Sequence, residues 1–441
     1  MKALKTNIRS KLSSGFMKSR LNRFLVYTLF AWCFISIFAD LIATDQPWMI
    51  QYKGHTWFPA IVSLFDEYRV EVIKDKEDNI GEELIQFDIT DWKKLESAFV
   101  IWAPIPWSPE KPDVYNRDFV GPGEVQKIKS PEGEMQESSW IMRHHLGTDR
   151  LGNDLLTMLI HGCRISLKIG LLSALLASII GIFFGAFSGY YADDSLRLPR
   201  VQAITSIIGF LLGVFWAFVT RADILSSAFE EGFLTSIVEI SLSVFVIAFC
   251  TTIGALFAKF FKKVTWLNKP ITIPLDTFIQ RFSELFSTMP KILILLTLAA
   301  VFRDKSIGMV IAIIGLTSWT SISRYTRAEV LRIRSLAYID AAKTQGLSNN
   351  RILWKHVLPN SMGPVMIEIA FLISGSILAE SSLSFLGIGV PDEVSTWGSI
   401  LNQGRQEFDA WWMVVFPGLA IFITIFLFNS LGERIRSYRR A

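Results

Sequence analysis

Several kinds of chemistry are missing from this sequence. It has no G-x-x-x-x-G-K-[ST] loop, and therefore no P-loop with which to hold ATP. Its five histidines include no H-E-x-x-H pair, and there is no G-x-S-x-G nucleophile elbow. The three cysteines, Cys33, Cys163 and Cys250, are scattered and form neither a disulfide framework nor a metal-ligand spacing. Charge is scarce as well: 19% of the residues are Asp, Glu, Lys or Arg, against about 25% in soluble domains. These absences predict no catalytic site, no cofactor, no metal and no nucleic-acid partner.

Apolar sequence fills the space. The chain is 51% hydrophobic with a mean hydropathy of +0.38, which points to the bilayer as its solvent. Runs of about 20 apolar residues are needed to span one. Eight candidates stand out, at 24–43, 165–190, 203–219, 233–258, 286–302, 306–323, 362–382 and 412–430. The first is as long as a full span and lacks a small-residue cleavage site, so it is read as a span and not as a leader. The expected fold class is an all-α polytopic membrane protein with about eight transmembrane helices. A small extracytoplasmic α/β or β-containing domain is attached.

Lys and Arg set the orientation. Residues 1–23 hold seven of them and no carboxylate, which predicts a cytoplasmic N-terminus. Counting spans then puts 44–140 outside and the loop 324–361 inside, with the Arg-rich tail 432–441. The outer segment carries 19 Asp/Glu against 10 Lys/Arg. Alternation in VEVI and LIQFDI predicts strands, and VIWAPIPW and PEKPD predict turns. This segment is either a small domain or a spacer. Further along, Gly147 and Thr148 predict a turn and an N-cap. An amphipathic interface helix follows and leads into the span at 165–190. Asp149 and Asp154 are read as caps, since no His or Glu supports a metal site beside them.

Three ionisable residues fall inside predicted spans, Glu239, Glu368 and Glu380. Charges at that depth either face a wet pathway or pair with a neighbouring helix. Both readings are open for all three. If they bound ions, the chain would be an ion-coupled secondary transporter, but no internal repeats support that alternative.

The hydrophilic stretch DAAKTQGLSNNRILWKHVLPN (340–360) sits between two apolar runs. Helix formers run from Arg327 to Gln345, and Gly346 is placed as the C′ residue. Ser348 is a suitable N-cap for a second short helix over 349–357, and Pro359 is expected to stop it. Ile352, Leu353, His356 and Val357 would share one face of it.

This spacing closely resembles the EAA loop of bacterial ABC-importer permeases, E-A-A-x3-G-x9-I-x-L-P. Here it reads Asp340, Ala341, Ala342, Gly346, His356, Leu358 and Pro359, with Asp for the usual Glu and His for the usual Ile. HHLGTDRLGNDLLTMLIHGCRISL and AESSLSFLGIGVPDEVSTWGSIL are similar to segments of the oligopeptide/dipeptide C-type subunits. LIATDQPWMIQYKGHTWFP and IWAPI look most like the subset associated with microcin C and related oligopeptide uptake. The resemblance covers most of 24–190 and 274–438 and leaves out about 195–273, whose two apolar runs form an insertion.

The resemblance implies a transport subunit in a bacterial inner membrane, taking up oligopeptides or peptide-like compounds. It implies partners: a second, homologous permease, two cytosolic ATP-binding subunits and a periplasmic substrate-binding protein. Under it, Asp340–Pro359 would dock on the ATPase, with Ala341, Ala342 and Gly346 allowing close packing. Glu368 and Glu380 would be candidates for the translocation pathway. The expected division is a basic tail (1–23), a first span (24–43), an outer domain (44–140) and an interface helix with the start of the core (141–190). The insertion (191–273), the core (274–431) with its loop at 324–361, and the tail (432–441) complete it.

Overall fold

The computed structural model describes residues 19–440 apart from 53, 66–69, 75–81, 88–89, 96–98, 130–134, 194–196, 262–265, 267 and 303–304. The chain forms two compact units. One holds the chain through Lys168 with Ser384–Gly387 and Asp392–Leu431; the other holds Ile169–Leu383, Ile388–Pro391 and the chain from Gly432 on.

In the first unit, helix α1 (Arg20–Ile37) leads into small antiparallel sheets. Strands β1 (Met49–Tyr52), β2 (His55–Trp57) and β5 (Phe99–Ile101) pair in the order β2-β1-β5. β3 (Val70–Lys74) pairs with β4 (Glu82–Gln86), and β6 (Lys127–Lys129) with β7 (Met135–Glu137). The expected strand VEVI and the first three residues of LIQFDI are thus paired antiparallel, while Asp88 and Ile89 of the latter lie outside the described residues. VIWAPIPW, expected as a turn, opens with the end of β5. Ile50, Ile85, Phe87 and Trp92 make a buried core beneath the sheets. A bidentate bond from Arg164 to Asp40, 2.9 Å at each oxygen, fixes the end of α1 to helix α2 (Leu155–Tyr191).

In the second unit, α2 continues from Ile169 and is followed by β8 (Arg197–Pro199), α3 (Arg200–Phe215), α4 (Ala222–Glu231) and α5 (Phe233–Phe257). Strand β9 (Pro270–Thr272) then pairs with β8, so that α3 to α5 stand on a two-stranded neck. Next come α6 (Leu275–Thr288), α7 (Lys291–Val301), α8 (Ile307–Arg334), α9 (Ala337–Thr344), α10 (Asn349–Ile352) and α11 (Leu358–Phe385). Helices α12 (Trp397–Gly404) and α13 (Trp412–Arg440) close the chain.

Among the described residues, six helical segments are long and apolar enough to cross a membrane. They are Leu155–Tyr191, Arg200–Thr220, Phe233–Phe261, Ile307–Arg334, Asn349–Phe385 and Trp412–Ser437. The pair α6 and α7, bent by 85°, makes a seventh if it counts as one span. α1 is not in this set; Arg20, Asn22 and Arg23 occupy its first turn.

Glycines set the close helix contacts of the second unit. Gly181, Gly185 and Gly189 recur every fourth residue of α2 and face α8. A Cβ at Gly181 would meet the carbonyl of Trp319, one at Gly185 Thr326, and one at Gly189 the carbonyl of Arg327. Small residues at this spacing let two backbones approach, the packing that stabilises helices where water cannot drive association. The same device joins α3 to α5, with Gly209 and Gly213 against Cys250 and Ile247.

Several boundaries differ from expectation. The expected interface helix and the span at 165–190 are one helix, and its cap is Asp154, which accepts from Thr157 N at 2.7 Å; Thr148 is not the cap. The expected span 286–302 starts in α6 and ends in α7, because Pro290 cannot continue the first helix. The span at 306–323 runs on to Arg334, with Ser323, Thr326 and Val330 buried along it.

Candidate functional site

The stretch 337–360 forms a helical bracket. The expected single helix 327–345 is broken at Ser335–Leu336 into α8 and α9. α9 ends in a Schellman motif: Gly346 N–H bonds Lys343 O at 2.9 Å and Leu347 N–H bonds Ala342 O at 3.3 Å. Gly346 has φ +77°, and a Cβ there would meet nothing within 4 Å. Within this chain its role is therefore conformational. Ser348 caps α10 by accepting from Arg351 N.

Pro359 does not stop the second helix, contrary to expectation. Residues Leu353–Val357 form a π turn that runs directly into α11. A proline ring clashes with the carbonyl four residues back and offers no N–H. The wider π turn relieves both problems. Just beyond, the carbonyl of His356 accepts from Asn360 Nδ2 at 2.6 Å.

The bracket is two-sided. Ile339, Ala342, Ile352, Leu353 and Val357 are buried with Ala186, Tyr190, Val330 and Ile333 in one cluster. Ala342 and the buried residues of the second helix therefore root the bracket in its own chain, while Trp354 of that helix is exposed. The opposite face is in solvent: Asp340, Ala341, Gly346 and Pro359 are exposed, as are Tyr338 and Lys343. His356 and Leu358 are half-buried. Asp340 makes only an exposed contact, to Lys343 at 3.1 Å.

Polar bonds that sequence reasoning missed seat this bracket. Arg334 donates to the carbonyl of Tyr190 at 2.7 Å, and Tyr190 Oη donates to Asn349 Oδ1 at 3.1 Å. Two turns earlier on α8, Arg327 grips Asp276 with two nitrogens, Nε to Oδ1 at 2.6 Å, and Ser188 donates to the same carboxylate. This fork ties α8 to the start of α6 by the geometry only Arg supplies. GYY and PLDTF, which hold Tyr190 and Asp276, are visible in the sequence, but nothing in their spacing pairs them with arginines far along the chain.

The three intramembrane glutamates do not converge. Glu239 is paired with Arg221, which also donates to Ser243 at 3.2 Å. Glu380 is fully buried and accepts from Ser381 at 3.3 Å. Glu368 is half-buried on the same helix, about 18 Å away along the axis.

A second unforeseen cluster lies just before α2. His144 is completely buried, with Nδ1 3.0 Å from Asp154 and Nε2 3.2 Å from Asp113. A carboxylate at each ring nitrogen favours the imidazolium, in which both nitrogens donate. Burial works against that charge, yet the bonds to the two carboxylates outweigh it and raise the pKa above 6.5. Burial would raise Asp113, but bonds from His144, Asn116 and Tyr115 N hold it below the usual range. The Trp107 ring lies 4.1 Å from His144 and carries the Lys93 ammonium 3.0 Å from its centroid. Burial pushes Lys93 down to about 8. Asp149 accepts from the backbone of Leu151 and Asn153, which leaves it a loop cap.

Comparison with known proteins adds independent findings. Residues 251–438 match the family described as binding-protein-dependent transport system inner membrane component. The chain is 26% identical over 416 residues to the inner membrane ABC transporter permease protein YejE of Escherichia coli K12, covering 92% of this chain and 90% of that protein. It is 25% identical over 320 residues to the dipeptide transport system permease protein DppC of Bacillus subtilis 168, covering 72% and 74%. It is also 25% identical over 422 residues to the peptidoglycan transport system permease protein YejE of Agrobacterium fabrum C58, covering 91% and 85%.

Proposed function

This chain belongs to the inner-membrane components of binding-protein-dependent transport systems, the oligopeptide-type permeases of ABC importers, and we propose that it couples peptide passage to ATP through the bracket at 337–360. It is a multi-pass membrane protein and a transport subunit of its importer. The substrates proposed are oligopeptides or peptide-like compounds, microcin C-type molecules and cell-wall fragments among them. The dipeptide and peptidoglycan systems of its relatives support that range.

One observation carries the coupling reading: the bracket is rooted by Ile339, Ala342 and Val357 on one face and bare on the other. A rigid element with a free face can be moved by a partner and transmit that motion to α8 and α11, a two-state coupling by shape. Asp340, Ala341 and Gly346 would meet the ATP-binding subunit; Ala342 supports them from beneath.

The topology proposed has eight spans, with α1 as the first and the bent α6–α7 pair as the fifth. Trp32 on α1 donates to Thr424 on α13 at 2.6 Å, which supports α1 as part of the helical body. Both termini and the bracket would then face the cytoplasm, and 44–140 would be a periplasmic domain in reach of a substrate-binding protein. A second, homologous permease completes the pathway, to which Glu368 and Glu380 are assigned. Uptake of labelled peptide into proteoliposomes tests the reading. Transport should require internal ATP and survive collapse of the proton and sodium gradients; transport that dies with a gradient and ignores ATP would overturn it.

A further inference from the structure

The hairpin of α3 to α5 is polarised end to end. All four carboxylates of residues 195–273 (Asp223, Glu230, Glu231 and Glu239) fall between positions 223 and 239. All the cations except Arg221 fall at 197–200 and 259–269. The fold gathers four of the second group. The β8–β9 neck pairs Arg197 with Thr272 and Pro199 with Pro270, and Arg200 N–H bonds Lys269 O at 3.1 Å. Lys259 follows α5 in a turn that packs on α3. Arg197, Arg200, Lys259 and Lys269 thus form a collar at one end of the hairpin, and none makes an ion pair with a described residue.

Two further features surround this collar. Phe260 is 79% exposed and Trp266 62%, with the Arg200 guanidinium 5.6 Å from the Trp266 ring centroid. Above it, only 17% and 11% of the two apolar segments are buried, against 50% and 61% for Leu155–Tyr191 and Ile307–Arg334. The hairpin therefore offers lipid nearly its whole circumference. A ring of cations with an aromatic at the edge of such a band lies at headgroup depth.

We propose that this collar is a binding site for the anionic headgroups of phospholipids. A polyanionic protein would match the charge, but would leave Phe260 and the adjoining apolar surface in water. A lipid satisfies both at once, with its phosphate on the collar and its chains along α3 and α5. Each cation near an anionic surface adds roughly fivefold to affinity, so four give a selective site.

The purified transporter can be equilibrated with micelles holding equal parts phosphatidylglycerol and phosphatidylcholine, and the retained lipids counted by native mass spectrometry. The wild-type chain should hold phosphatidylglycerol in clear excess. The quadruple variant R197Q/R200Q/K259Q/K269Q should lose that preference, and R197K/R200K, which keeps the charge, should retain it. If the quadruple variant fails to fold, K259Q/K269Q at two exposed positions should still lower the ratio about 25-fold. Excess inorganic phosphate should not displace the lipid, whereas displacement would mark a free-phosphate site. An unchanged ratio in either well-folded glutamine variant overturns the proposal.

Discussion

His144 and Asp154 lie 3.0 Å apart, both fully or almost fully buried, where the chain turns into α2. Since Asp154 also caps that helix, one carboxylate links the turn at His144 to the first long apolar helix. Removing one partner of a buried ion pair costs about 3–5 kcal/mol, so His144→Ala should lower the thermal midpoint in detergent by several degrees.

The same contact has a pH signature. A histidine whose folded pKa is raised stabilises fully below its unfolded value and loses that contribution as pH climbs through the folded one. Asp113, held low, acts in the opposite sense and loses its contribution as pH falls through its depressed pKa. Lys93, pushed down to about 8, favours folding as pH rises from there toward 10.5. Its background is shared by wild type and His144→Gln. The stability difference between these two chains should therefore shrink as pH rises above 6.5. Parallel pH profiles would show that His144 is not charged in the folded chain.

The glycine ladder makes a sharper structural prediction. At Gly185 a methyl group would press on Thr326 Cβ at 2.7 Å and on the Ser323 carbonyl. Gly185→Ala should cost about 1–3 kcal/mol. At Gly375, in α11, an added methyl group would meet nothing within 4 Å, and Gly375→Ala should be neutral or slightly stabilising by helix propensity. Equal melting shifts for the two would remove the close-packing account of α2 and α8.

Gly346 separates conformation from packing. Its φ of +77° costs most residues about 1–2 kcal/mol, and Asn least. With open space around its Cβ position, Gly346→Asn should fold as wild type, and Gly346→Val should loosen the end of α9. Protease sensitivity between Lys343 and Arg351 would report it. If Val is as resistant as Asn, the Schellman turn is not what holds the bracket.

For the intramembrane acids, Glu239→Gln should reduce stability by breaking its pair with Arg221 and leave uptake by the surviving protein unchanged. Glu380→Gln keeps the bond from Ser381 and should fold normally. Altered peptide uptake in that variant would support its place on the pathway, and normal uptake would remove it.

How much of this could be read from the sequence depended on the range of each interaction. The turn chemistry of Gly346 and Ser348 and the strands begun by VEVI and LIQ are local and were legible, though not that the two strands pair. So were the long apolar runs. Pro359 misled because a proline stops a helix only if the preceding turn is tight, and the π turn at 353–357 is a feature no spacing rule forecasts. The ladder G-x3-G-x3-G at 181–189 is plain to see, but its partner helix lies over 130 residues away in a register that only packing selects. Ala342 shows the same limit: its size suggested an outward contact, and burial with Ile339 and Val357 gave it an inward one. The Arg327–Asp276 and His144–Asp113 contacts join residues 51 and 31 positions apart and left no periodic trace.

The central claim is that the bare face of the bracket is where the ATP-binding subunit docks. Asp340→Arg with Ala341→Trp changes only exposed positions of α9 and leaves Ile339 and Ala342 in place. The affinity-tagged chain, carrying these changes or not, is purified from cells that make the whole transporter, and the co-purifying ATPase is quantified. The account predicts a monodisperse variant that has lost the ATPase by tenfold or more, about 1.4 kcal/mol of binding. Undiminished co-purification with that folded variant would contradict it.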